Sequence, residues 1–228
     1  MRDHLANAFG YSQTDIDKHS ATRNSAFTIL YTRDLQLWQN HSEKPAVIRE
    51  NKSPAFLMVR RSDYMMGFPG GGLKADETPT LGALQELKEE LGITFLNKDR
   101  LEPLLRQTFT NTRGVKCNTH CFIAELNAEE FKSVLENAHK AEHFMAEMRG
   151  LIPVSMEHTS PEKPLPFKNF LHSPMAPSVR QDITDFLTRT EIIAPLITQD
   201  IIDAGLLPRP TQRSAAQPLQ DNDLSHPG

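Results

Sequence analysis

The chain has 228 residues, of which 38% are hydrophobic and 24% are charged, an ordinary composition that indicates a globular protein with a sizeable core. We expect a polar lead-in over residues 1–24, one domain over residues 25–207 and a disordered C-terminal tail over residues 208–228. No stretch reads as a membrane span or a secretory signal, so we expect a soluble intracellular protein without a membrane partner. The formal net charge of −4 excludes a general electrostatic attraction to nucleic acid.

Alternating and β-branched stretches predict the strands, and apolar residues at helical spacing predict the helices. Strands are expected at 25–32, 104–109, 115–126 and 151–154, with a hairpin that pairs 45–49 with 55–60. Helices are expected at about 79–91, 128–141 and 178–187, followed by a shorter helical cap between 192 and 207. A proline-rich loop is expected at 158–166. This order predicts an α/β protein with mixed strands and helices on both faces of the sheet.

The predicted helix at 79–91 has clear start and stop signals. Thr78 is a suitable N-cap, Pro79 a suitable first residue and Gly92 a suitable left-handed stop. At 100° per residue, one stripe of the helix contains Leu81, Leu84, Leu87 and Leu91. We expect this stripe to pack against the core.

Glu86, Glu89 and Glu90 gather negative charge on the opposite side of this helix. The pairs Glu86–Glu89 (i,i+3) and Glu86–Glu90 (i,i+4) each destabilise the helix by about 0.2–0.5 kcal/mol. The position of these charges toward the C-terminal, negative end of the helix dipole adds a penalty of similar order. A bound divalent cation would reverse both penalties, and Mg²⁺ suits hard oxygen ligands shared with phosphates. The alternative for such a helix taken alone is a solvated acidic face.

Gly70, Gly71 and Gly72 lie shortly before the helix. Glycines allow a positive φ and a close approach to a ligand, and these amides lead toward the positive end of the helix. A glycine run by itself is more often a tight turn than a phosphate cradle. Beside an acidic helix, it predicts a phosphate-binding loop next to a metal site.

The glycine run and the helix together resemble the Nudix box, which reads glycine, five residues, glutamate, seven residues, then Arg-Glu-apolar-x-Glu-Glu-x-Gly-apolar. Eight of its nine specified positions match, namely Gly71, Glu77, Glu86, Leu87, Glu89, Glu90, Gly92 and Ile93. The exception is Gln85, where the box has an arginine that orients and charge-balances the catalytic glutamates. Glutamine retains a hydrogen-bonding group but loses the charge and the bidentate fork, a change compatible with reduced activity.

Looser matches over about residues 25–190 resemble the Nudix branch that contains the small-nucleolar-RNA-decapping enzyme and inosine diphosphatase. They are the run AFLMVRRSDYMMGFPGG, the turn Glu147-x-x-Gly150-Leu151 and the run FLHSPMAPSVRQDITDFL. The resemblance implies an α/β/α sandwich and hydrolysis of a phosphoanhydride in a nucleoside diphosphate or triphosphate or in an RNA cap. It also implies Mg²⁺ or Mn²⁺ as cofactor and a homodimer. A nuclear or nucleolar rather than cytoplasmic location rests on the resemblance alone.

The resemblance also assigns roles around the glutamates. Glu86 and Glu90 correspond to metal ligands, and Glu89 to a ligand or to the base that activates water. The Gly70 carbonyl corresponds to a further ligand, and Glu77 to a supporting glutamate.

Other matches concern the substrate. Arg61 corresponds to a substrate-contacting arginine, and Phe68 to a base-contacting aromatic residue. Phe27 falls where the branch has a histidine, so the ring surface is kept while a hydrogen bond is lost, which puts strict purine selectivity in doubt. Gln181 or Asp182 aligns with a base-reading glutamine, and the sequence leaves both open.

Glu142 and His143 resemble an Asp-His pair that approaches the metals in the branch, although the spacing to Glu147 is one residue longer. A solvent-facing pair is the alternative. Glu147 is either a remote catalytic carboxylate or an acceptor that stabilises a turn.

Cys117, His120 and Cys121 are residue types that bind zinc. On a strand, residues 117 and 121 share one face while residue 120 points to the other, so we expect reduced thiols rather than a zinc site. His139 and His143 share a helical face, but the sequence supplies no third ligand near them.

Two alternative functions remain open from the sequence. The substrate could be a dinucleotide such as ADP-ribose, a flavin or coenzyme A. Alternatively, Gln85 and the altered base pocket suggest a Nudix-like module that binds nucleotide or RNA without hydrolysing it.

Overall fold

The computed structural model describes residues 22–35, 53–110, 114–156, 167, 170–176, 178–193 and 195–211. The predicted strand at 45–49, the proline-rich loop at 158–166 and the tail from residue 212 lie outside the described residues, as does the lead-in up to residue 21.

A mixed sheet of seven strands forms the middle layer of the described part. The strands are β1 (Arg23–Leu35), β2 (Ser53–Arg61), β3 (Met66–Gly67), β4 (Gly70–Gly72), β5 (Glu102–Thr110), β6 (Lys116–Glu125) and β7 (Met148–Ser155). Their order is β3-β2-β1-β6-β5, with β4 paired to β1 and β7 paired to β2. Strands β1 and β6 run parallel and the other pairs are antiparallel. The predicted mixed sheet is confirmed.

Helices cover both faces of this sheet. They are α1 (Pro79–Leu91), α2 (Ala128–Asn137), α3 (Phe144–Glu147), α4 (Val179–Thr190) and α5 (Pro195–Asp203), with 3₁₀ turns at Lys98–Arg100 and Ala138–Lys140. One core lies under α1 and α2 and includes Leu87 and Phe131. The second core lies under α4 and α5 and includes Phe186 and Ile201. The architecture is therefore the expected α/β/α sandwich.

Helix α1 begins and ends where its capping residues predict. The Thr78 side chain accepts the N–H of Leu81, and Gly92 has a φ of 68°. The predicted packing of Leu81 is wrong, because its side chain is 57% exposed. The buried side of α1 is centred near Leu87, from which Leu81 is about 120° away around the helix and Glu90 only about 60°. Glu90 is consequently buried rather than on a solvent-facing acidic side.

Two further expectations about local structure are wrong. The glycine run is a short strand, β4, whose backbone pairs with β1, and not a loop. The expected turn at Glu147 is absent, because Glu147 ends α3 and Gly150 lies in β7. The predicted helix at about 128–141 is observed as α2, which ends at Asn137, followed directly by the 3₁₀ turn at Ala138–Lys140.

Residues 208–211, where the tail is predicted to begin, contact α4. The carbonyl of Pro208 accepts a hydrogen bond from the Thr184 hydroxyl, and the carbonyl of Arg209 accepts one from the Gln181 amide. Among the described residues, no helix is long and apolar enough to cross a membrane.

Replacing Gly70 with alanine is expected to destabilise the fold. Gly70 has a φ of +140°, and an added Cβ would lie 2.7 Å from the Phe27 Cα in β1, so the backbone would have to move. We expect the free energy of unfolding, measured by chemical denaturation, to fall by about 2 kcal/mol or more. The matched control is Gly72→Ala, where no atom lies within 4 Å of an added Cβ and we expect a change within about 0.5 kcal/mol. Equal stabilities for the two variants would contradict this prediction.

Candidate active site

Three glutamates from two helices converge beside strand β4. Glu86 and Glu90 are one turn apart on α1 and so point in similar directions, and Glu147 comes from the end of α3. Each offers a carboxylate oxygen, and the three oxygens lie within 4.8 Å of one another. We call Glu86, Glu90 and Glu147 the carboxylate cluster.

The protein environment disfavours the ionised forms of Glu86 and Glu90. Burial raises the pKa of Glu90 to about 8, and the charges of Glu86 and Glu147 add to the rise. Burial, followed by the charges of Glu147 and other carboxylates, raises the pKa of Glu86 to about 7. A divalent cation would reverse this effect, because its charge favours ionised ligands. Three hard oxygen donors at this separation fit an ion such as Mg²⁺ or Mn²⁺.

Strand β4 lies directly against the cluster. The Gly70 N–H donates to Glu90 Oε2 at 2.8 Å, so this amide binds a carboxylate of the protein. A Cβ on Gly71 would lie 2.5 Å from Glu86 Oε1, so only glycine at this position lets the Glu86 carboxylate come this close. The predicted proximity of the glycines to the glutamates is observed, whereas the predicted phosphate-binding role of the glycine run stays a prediction.

Glu89 lies outside the cluster and contacts two polar side chains. The Gln85 amide donates to Glu89 Oε1 at 2.6 Å. His143 Nδ1 lies 3.4 Å from Glu89 Oε2 and 3.5 Å from Glu147 Oε1. Glu142, the other half of the predicted Asp-His-like pair, is exposed and is not in the cluster.

Glu77 supports the segment between β4 and α1. Its carboxylate accepts the N–H of Lys74 at 3.0 Å. It also lies beside Gly82 of α1, where an added Cβ would be 3.3 Å from the Glu77 carboxyl. The supporting role predicted for Glu77 is consistent with these contacts.

Glu90 and Glu147 of the cluster line an open cleft of about 1100 Å³. Its lining also includes Arg61, Phe27 and Phe68. The structure therefore places three of the predicted substrate residues in the same cleft as two members of the cluster. Arg61 forms an ion pair with Asp63 at 3.2 Å, and Phe68 is only 4% exposed because most of its ring belongs to the core.

The cleft also contains residues that the sequence did not indicate for the substrate site, among them Lys74, Phe109, Cys117 and Thr119. Phe109 is 39% exposed and pairs with Cys117 across β5 and β6. Lys74 lies two residues after the glycine run, and this proximity could have indicated that Lys74 lines the cleft. Phe109 had no such signal, because its place in the cleft depends on the pairing of β5 with β6.

Gln181 and Asp182 are not among the residues that line the cleft. The Gln181 amide donates to Asp185 and to the carbonyl of Arg209, on the outer side of α4. Asp182 is buried under α4 and accepts a hydrogen bond from the Gln107 amide at 3.1 Å. The expectation that one of them reads the base is not supported by these positions.

Cys117, His120 and Cys121 do not converge. Cys121 lies in the core under α4 and α5, where burial raises the pKa of its thiol well above the ordinary value. His120 points to the other face of β6, and burial lowers the pKa of its imidazole.

Comparison with known proteins identifies the family. The family described as Nudt16-like, U8 snoRNA-decapping enzyme-like, matches residues 24–193. The chain belongs to this family. It is therefore a member of the Nudix superfamily, whose hydrolases generally use divalent metal ions.

One curated relative and two solved structures illustrate the similarity. A U8 snoRNA-decapping enzyme of Xenopus laevis is 35% identical over 101 residues, which are 44% of this chain and 48% of that protein, so the alignment spans about half of the relative. The NUDIX domain of Shewanella oneidensis NrtR, complexed with ADP ribose, is 18% identical with a TM-score of 0.49, covering 83% of this chain and 99% of that chain. A bifunctional NMN adenylyltransferase/ADP ribose pyrophosphatase of Francisella tularensis, complexed with AMP and a Mn ion, is 14% identical with a TM-score of 0.48, covering 83% of this chain and 47% of that chain.

Asp182 is expected to make stability depend on pH. Burial raises its pKa from 3.8 to about 7, so the native state retains a proton that the unfolded state loses. The free energy of unfolding should therefore fall as the pH rises from about 4 to about 7, by on the order of 2–4 kcal/mol. Asp182→Asn should remove this part of the pH dependence, which chemical denaturation at pH 5 and pH 8 measures.

The matched control is Asp200→Asn, because Asp200 is an exposed carboxylate on α5. We expect this control to keep the pH dependence of the wild type. A pH dependence that is the same in Asp182→Asn and in the wild type would contradict the assignment to Asp182.

Proposed function

We propose that this protein is a divalent-metal-dependent pyrophosphohydrolase that cleaves a phosphoanhydride bond in nucleoside diphosphates or triphosphates or in the 5′ cap of RNA. The observation that carries the proposal is the carboxylate cluster, two of whose members, Glu90 and Glu147, line a cleft that also contains aromatic side chains. The family match supports the same activity class.

We assign metal binding to the carboxylate cluster, with the Gly70 carbonyl as a further ligand. A metal bound there would neutralise phosphate oxygens and lower the pKa of an attacking water. Glu89 is outside the cluster, which suits it to accept the proton of that water. The water oxygen then bonds to phosphorus, and the bond to the leaving phosphate oxygen breaks.

The rest of the cleft suits a substrate with a phosphate end and a planar end. Arg61 and Lys74 supply positive charge, and the charge of Arg61 is close enough to Glu90 to lower the pKa of that carboxyl. Phe27 and Phe109 supply ring surface for a base, while most of the Phe68 ring lies in the core. Because ring surface is not selective by itself, we expect several bases to be accepted.

The contact between Gln85 and Glu89 supports hydrolysis over binding alone. A glutamine cannot supply the charge of an arginine, but here it donates a hydrogen bond of 2.6 Å to the carboxylate proposed as the base. The match to the decapping branch also favours the proposal over a hydrolase of dinucleotide cofactors. The choice between Mg²⁺ and Mn²⁺, assembly as a homodimer and location in the nucleus or cytoplasm stay predictions.

Replacing Glu90 with glutamine tests the metal-binding role. We expect at least a hundredfold loss of phosphate release from inosine diphosphate and of cap release from a short capped RNA, on the order of 3 kcal/mol in the barrier. Folding should be retained, because the neutral amide can accept the Gly70 N–H and carries no buried charge. The measurement is turnover with Mg²⁺ or Mn²⁺, alongside the melting temperature.

Glu129→Gln is the matched control, because Glu129 is exposed on α2 and outside the cluster. It should turn over like the wild type. Wild-type turnover in Glu90→Gln would contradict the proposed metal site.

A substrate panel tests the activity class. The wild type, incubated with Mg²⁺ or Mn²⁺, should hydrolyse nucleoside diphosphates, nucleoside triphosphates or capped RNA at least tenfold faster than ADP-ribose, a flavin dinucleotide or coenzyme A. Preferred cleavage of the dinucleotides would favour the cofactor alternative. Tight binding without any product would favour the non-catalytic module.

A further inference from the structure

The Glu89 carboxylate contacts one nitrogen on each of its oxygens. The Gln85 amide nitrogen donates to Oε1 at 2.6 Å, and Nδ1 of His143 lies 3.4 Å from Oε2. Gln85 is four residues before Glu89 on α1, so it approaches from along the same helix. His143 comes from the segment between the 3₁₀ turn at Ala138–Lys140 and α3. The two contacts therefore reach the carboxylate from different elements.

The main chain of His143 forms hydrogen bonds with both α1 and α3. Its N–H donates to the carbonyl of Glu89 at 2.9 Å, near the C-terminal end of α1, where backbone carbonyls need partners from outside the helix. Its carbonyl accepts the N–H of Glu147 at 3.0 Å, within α3. His143 thus links the backbone that carries Glu89 to the backbone that carries Glu147.

We propose that His143 is a positioning residue that acts through Glu89, holding this carboxylate together with Gln85 beside the carboxylate cluster. The inference rests on the proposed function, in which Glu89 takes the proton of the attacking water. A carboxylate held at one oxygen can still rotate about the bond to its carboxyl carbon. A hydrogen bond at one oxygen and a close nitrogen at the other restrict the plane of the group, and a base held in one orientation transfers protons more efficiently.

Geometry identifies the part of His143 that matters. Nδ1 is the ring nitrogen that lies near carboxylate oxygens, Glu89 Oε2 at 3.4 Å and Glu147 Oε1 at 3.5 Å, so a hydrogen on Nδ1 would face an acceptor. Asparagine places an amide nitrogen close to the position of Nδ1 and should preserve the contact. Alanine removes the contact but keeps both main-chain hydrogen bonds, so the fold should survive.

Arginine at position 85 offers an internal test. A guanidinium carries several N–H donors in a planar fork and can hold both oxygens of a carboxylate. If His143 acts through Glu89, an arginine at position 85 should make the imidazole dispensable. If His143 instead acts through Glu147, arginine at position 85 should make no difference.

The experiment compares the wild type, H143A, H143N, Q85R and the double variant Q85R/H143A, with His139→Ala as the control. His139 is exposed in the neighbouring 3₁₀ turn, and its replacement should leave turnover unchanged. For H143A we expect kcat to fall at least about tenfold, as for other residues that orient catalytic groups, with KM within about twofold. H143N should retain most of the wild-type kcat. In the Q85R background the loss of His143 should cost less than about threefold.

Two results would overturn the proposal. One is an equal loss of kcat on removing His143 in the wild-type and Q85R backgrounds. The other is a H143A variant with unchanged kcat. The Mn²⁺ affinity of H143A, measured by electron paramagnetic resonance, shows whether His143 acts through Glu89 or through Glu147. Action through Glu147 should weaken Mn²⁺ binding, whereas action through Glu89 should leave the affinity within about threefold of the wild type.

Crystal structures of the wild type and H143A provide a readout without turnover. We expect one orientation of the Glu89 carboxylate in the wild type and more than one in H143A. A single shared orientation would overturn the positioning role. If the wild type released no product from any nucleotide, the proposed function would fail, and these structures would still decide whether His143 positions Glu89.

Discussion

The hydrogen bond from the Gly70 amide to the Glu90 carboxylate ties the candidate site to the sheet. Gly70 lies in β4, which pairs with the central strand β1, so a carboxylate on α1 is fixed to the middle of the sandwich. A buried carboxylate without a donor is costly, and this bond offsets part of that cost. Gly71 follows with no side chain, which leaves room for Glu86. These two glycines therefore determine how closely the side of α1 that carries Glu86 and Glu90 approaches the sheet.

The acidic residues on α1 lie where local electrostatics disfavours them. Glu86, Glu89 and Glu90 repel one another and occupy the half of the helix that ends in the negative pole of the dipole. The fold then adds Glu147 from α3 to the same place. Such a conflict between local preference and overall fold is characteristic of functional sites. A bound cation would turn the same arrangement into a favourable one.

The sequence predicted the parts of the site that depend on local signals. Helix α1 has the predicted bounds because Thr78, Pro79 and Gly92 act within one turn of each end. The burial of Glu90 and the approach of Glu147 were not predictable in this way. The burial of Glu90 depends on how α1 packs against the sheet, where Glu90 accepts the Gly70 N–H. The approach of Glu147 depends on how α1 and α3 pack, which involves residues more than 50 positions apart in the chain. Helical periodicity also placed Leu81 on the buried side of α1 incorrectly, because the side of the helix that is actually buried is centred on Leu87.

The residues expected to contact the base, Gln181 or Asp182, do not line the cleft, and the reason is again one of helix geometry. Adjacent residues on a helix point about 100° apart, so an alignment uncertain by one residue between Gln181 and Asp182 changes the environment completely. One side chain contacts the backbone of Arg209 and the other is buried against Gln107. Strands β1 and β5 supply Phe27 and Phe109 to the cleft instead. Under the proposed function, base recognition then rests on ring surface more than on hydrogen bonds, which favours tolerance among bases over strict selection.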